Sequence, residues 1–563
     1  MVNYFQENAW HKRLKIAVGQ VNPTIGDFPG NMEKILIAAE EAQRLNCNVV
    51  VFPEMCLTGG PAHDLLGKSD FVKSQITAMK ELARRVGKIV AIVGFVDRRV
   101  EGRETKLFNS AALIFDGGIR RVVDKTGLRV LNGLDERRYF TAGEPSAPLK
   151  VNGVPLGILV GDDSRGLEAC KRLVNAGASL IVSLASMSFR MGEYSSRLSE
   201  AADLARKADV HILVSNFVGG QDELIFDGGS FAVDPMGKVL WRAPQFKEGL
   251  FVAEVPQEDQ DGLGLSDIEQ VRQGLCVAIR DFVVKSGFSK VVVGLSGGID
   301  SGLVAALAAQ SLGPENVLGL IMPSEVSCPG SAEDAGQLAL NLGIETKCIS
   351  IKPVYDAYIA GFGDPFGAKA PDVAEENLQA RIRGNLLMGF ANKFGYMVLC
   401  TGNRSERLVG YATLYGDMAG GFAPISDVPK TLVYELAKHI NCESGQELIP
   451  RSTIEKAPSA ELRPGQTDAE ALGPYESLDP ILDAYVDGGG AFEEMLAAGH
   501  EEASVRNVIS RFLRSEFKRY QGPPGPRIVS RMLACEGNMP LTKSIESWFD
   551  RKLFEIGQQG AKS

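Results

Sequence analysis

The sequence predicts an α/β protein built from two layered domains. Its 563 residues are 45% hydrophobic and 23% charged, which is a globular composition, and a chain of this length corresponds to roughly two to four ordinary domains. Short apolar runs alternate with helical patterns, as expected where helices cover the faces of a sheet. The polar stretch 257–264 is the best linker candidate. We therefore expect one domain over residues 1–258 and a second over residues 265–563.

The strands of the N-terminal domain are predicted from apolar runs of strand length. These runs are Lys15–Gln20, Asn48–Phe52, Ile89–Val93, Ala111–Phe115, Leu156–Val160, Leu180–Leu184, His211–Val214 and Leu250–Ala253. Helical patterns such as Asn31–Arg44 and Glu168–Ala178 separate several of these runs. Strands and helices that alternate in this way indicate a layered α/β domain.

Ser266–Ser286 has an amphipathic helical pattern, and a second α/β domain starts at Lys290, where an apolar strand opens the run Val291–Ser301. A glycine-rich turn follows this strand and leads into a helical run over Gly302–Leu312. The backbone N–H groups of such a turn, together with the helix dipole, form an anion site. We therefore expect phosphate groups to bind at this end of the strand.

The residues of the turn suit phosphate binding. Gly297 and Gly298 let the backbone approach a phosphate closely, while Ser296 and Ser301 can add hydroxyl donors. The carboxylate of Asp300 would repel phosphate directly, so its position implies a bridging Mg²⁺ ion. The alternative interpretation is a glycine-rich turn with a purely structural role.

The motif Ser-Gly-Gly-x-Asp-Ser in this turn resembles the pyrophosphate loop of ATP pyrophosphatases. These enzymes cut ATP between the α- and β-phosphates and adenylylate a substrate. The Gly-Lys-Ser/Thr ending of a Walker loop is absent. The resemblance implies a Rossmann-like domain with a parallel sheet.

Downstream blocks resemble the synthetase half of glutamine-dependent NAD synthetases. The blocks are Glu375–Gly384, Thr401–Glu406, Gly410–Gly421, Asp427–Thr431, Lys456–Asp468 and Phe517–Pro526. Arg404 stands where that family has a lysine. The order and spacing of the blocks match the family across nearly all of residues 265–545, so chance convergence is negligible.

The resemblance implies an ATP-dependent ligase. In the family, the carboxylate of deamido-NAD attacks the α-phosphorus of ATP, which gives an acyl adenylate and pyrophosphate, and ammonia then displaces AMP to form NAD. Two polyanions must meet in this reaction, so a metal ion and cationic side chains have to screen them. ATP is accordingly the expected co-substrate, and Mg²⁺ is the expected metal.

The resemblance also implies roles for individual residues. ATP binds to Thr401 and to the loop residues Gly294, Leu295, Ser296, Gly297, Gly298, Ile299, Asp300 and Ser301. Deamido-NAD binds to Asn377, Arg381, Glu406, Asp417 and Lys518. Asp300 and Glu406 are the Mg²⁺ ligands, and Lys430 and Lys518 join Asp300 as the catalytic residues.

Plainer interpretations stay open for some of these residues. Asn377 and Arg381 lie on one helix face and could pair with a neighbouring element, and Lys518 could be a solvated charge.

Other families with a pyrophosphate loop are the GMP, asparagine and argininosuccinate synthetases and the tRNA-thiolating enzymes. The thiolating enzymes usually carry paired catalytic cysteines or basic RNA-binding surfaces, neither of which is visible in this sequence, and the GMP enzymes carry a different amidotransferase domain.

Residues 13–255 resemble the nitrilase superfamily, which implies an α-β-β-α sandwich with a Glu-Lys-Cys triad. Glu54, Lys125 and a second acidic residue, Glu136, match the family's pattern. The turn that reads Cys-Glu-Asp in the family begins here with Gly161 and reads Gly-Asp-Asp. Since glycine has no side chain, it can neither attack an amide nor hold an acyl group.

Further differences around this turn indicate a vestigial glutaminase site formed by Glu54, Lys125, Glu136 and Gly161. Leu131 replaces a tyrosine that helps to seat glutamine, and the turn at Gly60 is also altered. Cys56 and Cys170 lie elsewhere in the sequence pattern and do not replace the nucleophile convincingly. We therefore expect the Glu54–Lys125 pair to be structural.

The nitrogen donor expected from these observations is ammonia, either free or handed over by a separate protein. One alternative is a glutamine-dependent enzyme that uses an unrecognised nucleophile. Another is a non-catalytic assembly pseudoenzyme, against which the intact Asp300, Thr401 and Glu406 argue. Family members often form large homo-oligomers, so several copies of the chain are expected to associate.

Charge and cysteine content set the broad class of protein. The net charge of −10 argues against nucleic acid or an anionic membrane as the main partner. No apolar run is long enough to span a bilayer, and the first residues lack the apolar core of a signal peptide. The 9 cysteines have no paired spacing, which favours reduced thiols and a cytoplasmic location.

Overall fold

The computed structural model describes residues 10–131, 134–255, 264–366, 369–370, 372–529, 539–543 and 549. The chain divides into two compact units, Met1–Asp281 and Phe282–Ser563. The linker predicted at 257–264 lies almost wholly outside the described residues. The domain limits 1–258 and 265–563 therefore stay a prediction.

The N-terminal unit contains two six-stranded sheets, two small two-stranded sheets and four helices longer than one turn among its described residues. The strands are β1 (Ile16–Gln20), β2 (Val49–Val51), β3 (Val90–Glu101), β4 (Glu104–Phe115), β5 (Gly118–Asp124), β6 (Val130–Leu131), β7 (Leu134–Asp135), β8 (Leu149–Val151), β9 (Val154–Val160), β10 (Leu180–Ala185), β11 (His211–Asn216), β12 (Val218–Gln221), β13 (Leu224–Asp227), β14 (Phe231–Val233), β15 (Val239–Arg242) and β16 (Gly249–Val252). The helices are α1 (Phe28–Arg44), α2 (Ser69–Arg85), α3 (Leu167–Asn175) and α4 (Glu193–Ala208).

The two large sheets have similar topologies. The first has the strand order β16-β1-β2-β3-β4-β5, and the second has the order β15-β14-β11-β10-β9-β8. In each sheet the central strands are parallel, β1-β2-β3 in the first and β9-β10-β11 in the second. Antiparallel strands extend both sheets at their edges.

The alternation of side chains along the strands explains why the unit has four layers. Ile16 and Val18 of β1 lie in a buried cluster shared by the two sheets, whereas Ala17 faces the cluster under α1 and α2. Leu173 of α3 and Ala205 of α4 lie in a third cluster, on the outer face of the second sheet. The unit is therefore an α-β-β-α sandwich, as the sequence predicts.

The C-terminal unit is built on one sheet of four parallel strands in the order β19-β18-β17-β20. The strands are β17 (Val291–Leu295), β18 (Val317–Ile321), β19 (Glu345–Cys348) and β20 (Met397–Leu399). Helix α5 (Asp267–Lys285) contains the division between the two units. The following helices are α6 (Ile299–Leu312), α7 (Pro329–Leu342), α8 (Lys352–Phe366), α9 (Val373–Phe394), α10 (Arg404–Val409), α11 (Lys430–Ser444), α12 (Arg451–Glu455), α13 (Asp468–Leu472), α14 (Tyr475–Leu482), α15 (Phe492–Ala497), α16 (Glu502–Arg514) and α17 (Glu516–Arg519).

Burial on both faces of the sheet determines where the site can form. Val291, Val292 and Val293 of β17 are fully buried, as expected for a central parallel strand that is covered by helices on both faces. The Rossmann-like parallel sheet is thus confirmed. The carboxyl end of β17 leads directly into α6, and ligands of open α/β sheets bind at such strand ends. No helix among the residues that the structure describes is long and apolar enough to cross a membrane.

Candidate functional site

The glycine-rich turn after β17 is held in a fixed shape by short contacts. Gly297 has φ +78°, and a Cβ at this position would lie 2.2 Å from the carbonyl oxygen of Ser331, so only glycine fits. The Ser301 hydroxyl donates to the Gly298 carbonyl at 3.0 Å and accepts from the Ser296 N–H at 3.3 Å. The helix α6 begins one residue after Gly298, which places Asp300 in its first turn.

Asp300, Glu406 and Lys430 meet beside this turn. The Lys430 ammonium donates to Asp300 Oδ2 and lies 3.7 Å from Glu406 Oε1. The Asn403 amide donates to the other Asp300 oxygen at 3.0 Å, while Asn403 Oδ1 caps α10 by accepting from the Glu406 N–H at 3.0 Å. The short sequence Asn-Arg-Ser-Glu therefore ties the start of α10 to the start of α6.

The electrostatics of this group are dominated by burial. Burial, and then repulsion from Asp300, raises the pKa of the Glu406 carboxyl above its ordinary value. Burial alone would lower the pKa of Lys430, but the Asp300 and Glu406 carboxylates outweigh this effect and hold the pKa above its ordinary value. Two partly buried carboxylates share one lysine here, and the repulsion between them favours a further cation at the site.

The donor set of this group fits Mg²⁺. Mg²⁺ typically binds to one or two protein carboxylates and completes its coordination with phosphate oxygens and water. Asp300 and Glu406 supply two carboxylates beside an anion-binding turn. No group of three or more His, Cys, Asp or Glu side chains that could hold a metal ion is found in the part of the chain that the structure describes.

One cavity joins the turn to most of the predicted site residues. The predicted residues that line it are Gly294, Leu295, Ser296, Gly298, Ile299, Asp300, Ser301, Thr401, Glu406, Asp417, Lys430 and Lys518. Burial raises the pKa of the Asp417 carboxyl to about 6. Lys518 Nζ donates to the carbonyls of Gly410 and Ala412, each at 2.7 Å, which ties the helix α17 to the cavity wall.

Asn377 and Arg381 lie beside this cavity and not among its lining residues. The Thr413 hydroxyl donates to Asn377 Oδ1 at 2.8 Å, and Arg381 Nε donates to the carbonyl of Leu414 at 3.3 Å. Arg381 lines a separate cavity between α8 and α9, next to Tyr415. The structure therefore places both residues on one face of α9 against the segment 413–415, and their binding role stays a prediction.

Arg404, which replaces a lysine of the family pattern, is buried beneath the site. Its guanidinium donates to Asp483 at 2.5 Å and to Asp487 at 2.7 Å, and it lies 3.6 Å from Asp427. Arg404 is absent from the cavity lining. A forked guanidinium can satisfy two carboxylates at once, which an ammonium cannot do with the same geometry. Arg404 therefore anchors α10 through carboxylates that do not line the cavity.

The cavity is also lined by a hydrogen-bonded group of one lysine, one glutamate and one serine, for which the sequence predicts no role. Lys456, Ser331 and Glu461 all line the cavity. Lys456 Nζ lies 2.6 Å from Glu461 Oε1 and contacts the Ser331 hydroxyl, and that hydroxyl donates to Glu461 at 2.6 Å. The block Lys456–Asp468 contains Lys456 and Glu461, so the sequence indicates these two residues. Only the structure shows that they line the same cavity as the glycine-rich turn.

In the N-terminal unit, Glu54, Lys125 and Glu136 form a closed ion cluster. Lys125 Nζ lies 2.7 Å from Glu136 and 3.2 Å from Glu54. The Glu54 carboxylate also accepts hydrogen bonds from the Asn109 amide, at 2.7 Å, and from the Ser186 hydroxyl. Burial would lower the pKa of Lys125, but the two carboxylates outweigh this effect and raise it. Burial also raises the pKa of Glu136.

Gly161 faces this cluster at the end of β9. It has φ +56° and begins a short 3-10 turn, Gly161–Arg165. A Cβ at this position would lie 2.3 Å from Glu54 Oε1 and 2.5 Å from Lys125 Nζ. The cluster side chains therefore occupy the space that a longer side chain at 161 would need. Leu131 is one of the two further differences from the family pattern, and its side chain lies outside the described part of the structure.

Cys56 and Cys170 are poorly suited to replace a missing nucleophile. Both are fully buried, and burial raises the pKa of each thiol to about 12. The Cys56 thiol donates to the Gly94 carbonyl at 3.4 Å. Because the thiolate is the nucleophile, neither residue supplies one at neutral pH.

We predict that Cys56 and Cys170 resist alkylation in the folded protein. With a pKa near 12, a thiol at pH 8 is only about 1 part in 10⁴ thiolate. Iodoacetamide labelling followed by peptide mass spectrometry should modify the exposed Cys348 and Cys442 and should modify these two residues only after unfolding. Rapid labelling of either buried thiol in the native protein would contradict this prediction.

Together the two units define a class of protein. A hydrolase-type α-β-β-α sandwich is joined to a parallel α/β unit whose glycine turn, paired carboxylates and lysine have the form of an ATP pyrophosphatase site. Residues 15–262 match the carbon-nitrogen hydrolase family, and residues 271–522 match the NAD synthase family.

Similar proteins match both units together. The glutamine-dependent NAD(+) synthetase of Acinetobacter baylyi is 39% identical over 94% of this chain and 98% of its own length. That of Synechocystis is 41% identical with the same coverage. A solved structure of the Acinetobacter baumannii enzyme in complex with ADP has a TM-score of 0.75 and 35% identity, over 94% of this chain and 98% of its own. The chain belongs to the glutamine-dependent NAD(+) synthetase family.

Proposed function

We propose that this protein is a ligase that converts deamido-NAD, ATP and ammonia into NAD, AMP and pyrophosphate. The observation that carries the proposal is the meeting of Asp300, Glu406 and Lys430 beside the anion-binding turn, in a chain that belongs to this family. The names of the relatives support NAD synthesis as the activity, while the nitrogen donor is inferred from the N-terminal unit.

The proposed first step joins deamido-NAD to ATP. The carboxylate of deamido-NAD attacks the α-phosphorus, the bond between the α- and β-phosphates breaks, and pyrophosphate leaves. The N–H groups at the start of α6 and the hydroxyl of Ser296 hold phosphate oxygens, while the Ser301 hydroxyl donates to the Gly298 carbonyl and supports the turn. Thr401 lies at the same end of the sheet. Mg²⁺ held by Asp300 and Glu406 would screen the charge that develops on the phosphates. Lys430 adds a fixed positive charge to the same place.

The proposed second step forms the amide. Ammonia attacks the carbonyl carbon of the acyl adenylate, AMP leaves, and the nitrogen loses a proton. We assign Asn377, Arg381, Asp417 and Lys518 to the binding of deamido-NAD. The contacts of Lys518 with the carbonyls of Gly410 and Ala412 support a position at the cavity wall, from which it can close over the substrate.

The N-terminal unit supports ammonia, and not glutamine, as the nitrogen donor. In a nitrilase-like site a nucleophile must follow β9, and Gly161 has no side chain there. The packing of Glu54 and Lys125 against this glycine supports a cluster that now has a structural role. We infer that this unit, residues 1–258, folds as a sandwich but no longer hydrolyses glutamine.

The proposal is tested by product analysis with purified protein. Deamido-NAD, ATP, Mg²⁺ and ammonium should give NAD, AMP and pyrophosphate in equal amounts, and removal of Mg²⁺ with EDTA should stop the reaction. Release of ADP and phosphate in place of AMP and pyrophosphate would overturn the assignment.

A further inference from the structure

The helix α11 begins at Lys430 without a cap of its own. Its N-cap residue is Pro429, which makes no side-chain cap bond. The first backbone N–H groups of a helix have no partner inside the helix, so they must be satisfied from elsewhere. This matters here because Lys430 is the first residue of the helix, and its side chain reaches Asp300 and Glu406.

Asp479 of α14 supplies the missing cap from a different helix. Its Oδ2 accepts from the Thr431 N–H at 3.0 Å and from the Thr431 hydroxyl at 2.9 Å. Asp479 is only 3% exposed. A buried carboxylate at a helix N-terminus is favourably placed with respect to the helix dipole, so it fixes where α11 begins.

The other oxygen of Asp479 holds a second helix start. Asp479 Oδ1 accepts from the hydroxyl of Ser405, and the same hydroxyl accepts from the Lys430 N–H at 2.9 Å. Ser405 lies in the first turn of α10, directly before Glu406. One carboxylate therefore connects the first turn that carries Glu406 to the first turn that carries Lys430.

A neighbour on the same face of α14 supports this arrangement. Tyr475 lies one helical turn before Asp479, and the Lys430 ammonium lies 5.4 Å from the centre of its ring. The Tyr475 hydroxyl donates to Asp468 at 2.9 Å, which fixes the ring. The helix α14 thus contacts the side chain of Lys430 through Tyr475 and the first turn of α11 through the bonds of Asp479 with Thr431.

We propose that Asp479 is a positioning residue for the reaction, because it sets the relative placement of Glu406 and Lys430. Asp479 is not among the residues that line the cavity, and within the described residues its side chain bonds to Ser405 and Thr431, so it acts through them. This inference rests on the proposed function. Wild-type NAD synthesis tests that function separately, before any variant is compared.

The test compares Asp479→Ala with a matched variant in the other unit. The matched residue is Asp163, which is also buried. Like Asp479, it accepts hydrogen bonds from the N–H and hydroxyl of one threonine, Thr126, and it also accepts from the Gly127 N–H. For each variant, kcat and KM are measured with ammonium, and kcat is divided by the folded fraction from circular dichroism. Because small misplacements of catalytic groups are costly, we expect Asp479→Ala to lower kcat about 10- to 100-fold. Asp163→Ala should keep the wild-type kcat per folded molecule.

Ser405→Ala tests the same contact by a milder change. It should lower kcat in the same direction and change KM for deamido-NAD less, since Glu406 is the one residue assigned to deamido-NAD that adjoins Ser405 in the sequence. The double variant should be no worse than Asp479→Ala to within about twofold, because both changes break one shared connection. If Asp479→Ala does not fold, Ser405→Ala decides alone. Wild-type kcat per folded molecule, with only a lowered Tm, would overturn the inference.

Discussion

Replacing Asp300 with asparagine is expected to lower the rate of NAD formation by about 10²- to 10³-fold, which is the size of effect seen when one preorganised electrostatic contact to a transition state is removed. The change keeps the size of the side chain and its bond from Asn403. It removes one of the two carboxylates that face Lys430 and that would hold Mg²⁺. The phosphates would then meet the substrate carboxylate with less screening.

The fold should survive this substitution, which makes the result interpretable. Glu406 remains within 3.7 Å of Lys430, so the ammonium keeps one carboxylate beside it. We therefore expect a folded protein with a lowered Tm, because the buried Lys430 loses its nearest partner, together with the loss of kcat per folded molecule at saturating ATP and ammonium. Asp334→Asn is the control, since Asp334 bonds to Ser452 and lies outside the cavity. Full activity of Asp300→Asn would show that this carboxylate does not act in the reaction.

The fold could be predicted because its strands have a strong apolar pattern. The apolar start of the run Val291–Ser301 becomes β17, Val291–Leu295, as predicted, but its end comes from the structure. The predicted run Ile89–Val93 and its partner Ala111–Phe115 form instead a much longer hairpin, β3 and β4. The added residues are mostly polar or charged and lack the apolar pattern, but Arg99 pairs with Asp97 and Asp124 and lies over the ring of Phe108. Such cross-strand contacts are invisible to a hydrophobic pattern.

The candidate site could be predicted where chemistry and local geometry coincide. The turn 294–301 combines strand, glycines, hydroxyls and helix within a few residues, so its shape follows from adjacent sequence. Asp479 bonds to a residue more than 70 positions away in the sequence, and Lys456 contacts one more than 120 positions away. No local sequence pattern indicates such contacts. Arg404 shows the opposite difficulty, because it lies in a binding motif but is buried against Asp483 and Asp487.

The native protein is expected to make NAD from ammonium and not from glutamine. The carboxamide nitrogen of glutamine is a poor nucleophile, so it must first be released by acyl transfer, and that step needs a nucleophile which Gly161 cannot provide. Since the loss of a covalent nucleophile costs several orders of magnitude, the glutamine-supported rate should lie about 10³-fold or more below the ammonium rate. The measurement uses amide-¹⁵N glutamine in ammonium-free buffer, with mass spectrometry of the NAD formed. Labelled NAD at the ammonium rate would show that another nucleophile acts.

Restoring a thiol should not restore glutamine use. In Gly161→Cys the new Cβ would have to displace Glu54 and Lys125, which are buried and held by Asn109 and Glu136. The residue would also adopt a left-handed φ, which costs a non-glycine residue about 1–2 kcal/mol. Gly161→Ala carries the same Cβ without the thiol, so both variants should lose similar stability in thermal unfolding while keeping the ammonium-supported rate. Ammonia release from glutamine should stay at background in both. Hydrolysis by Gly161→Cys alone, at a rate near that of NAD synthesis, would show that the pocket is intact and that only the nucleophile is missing.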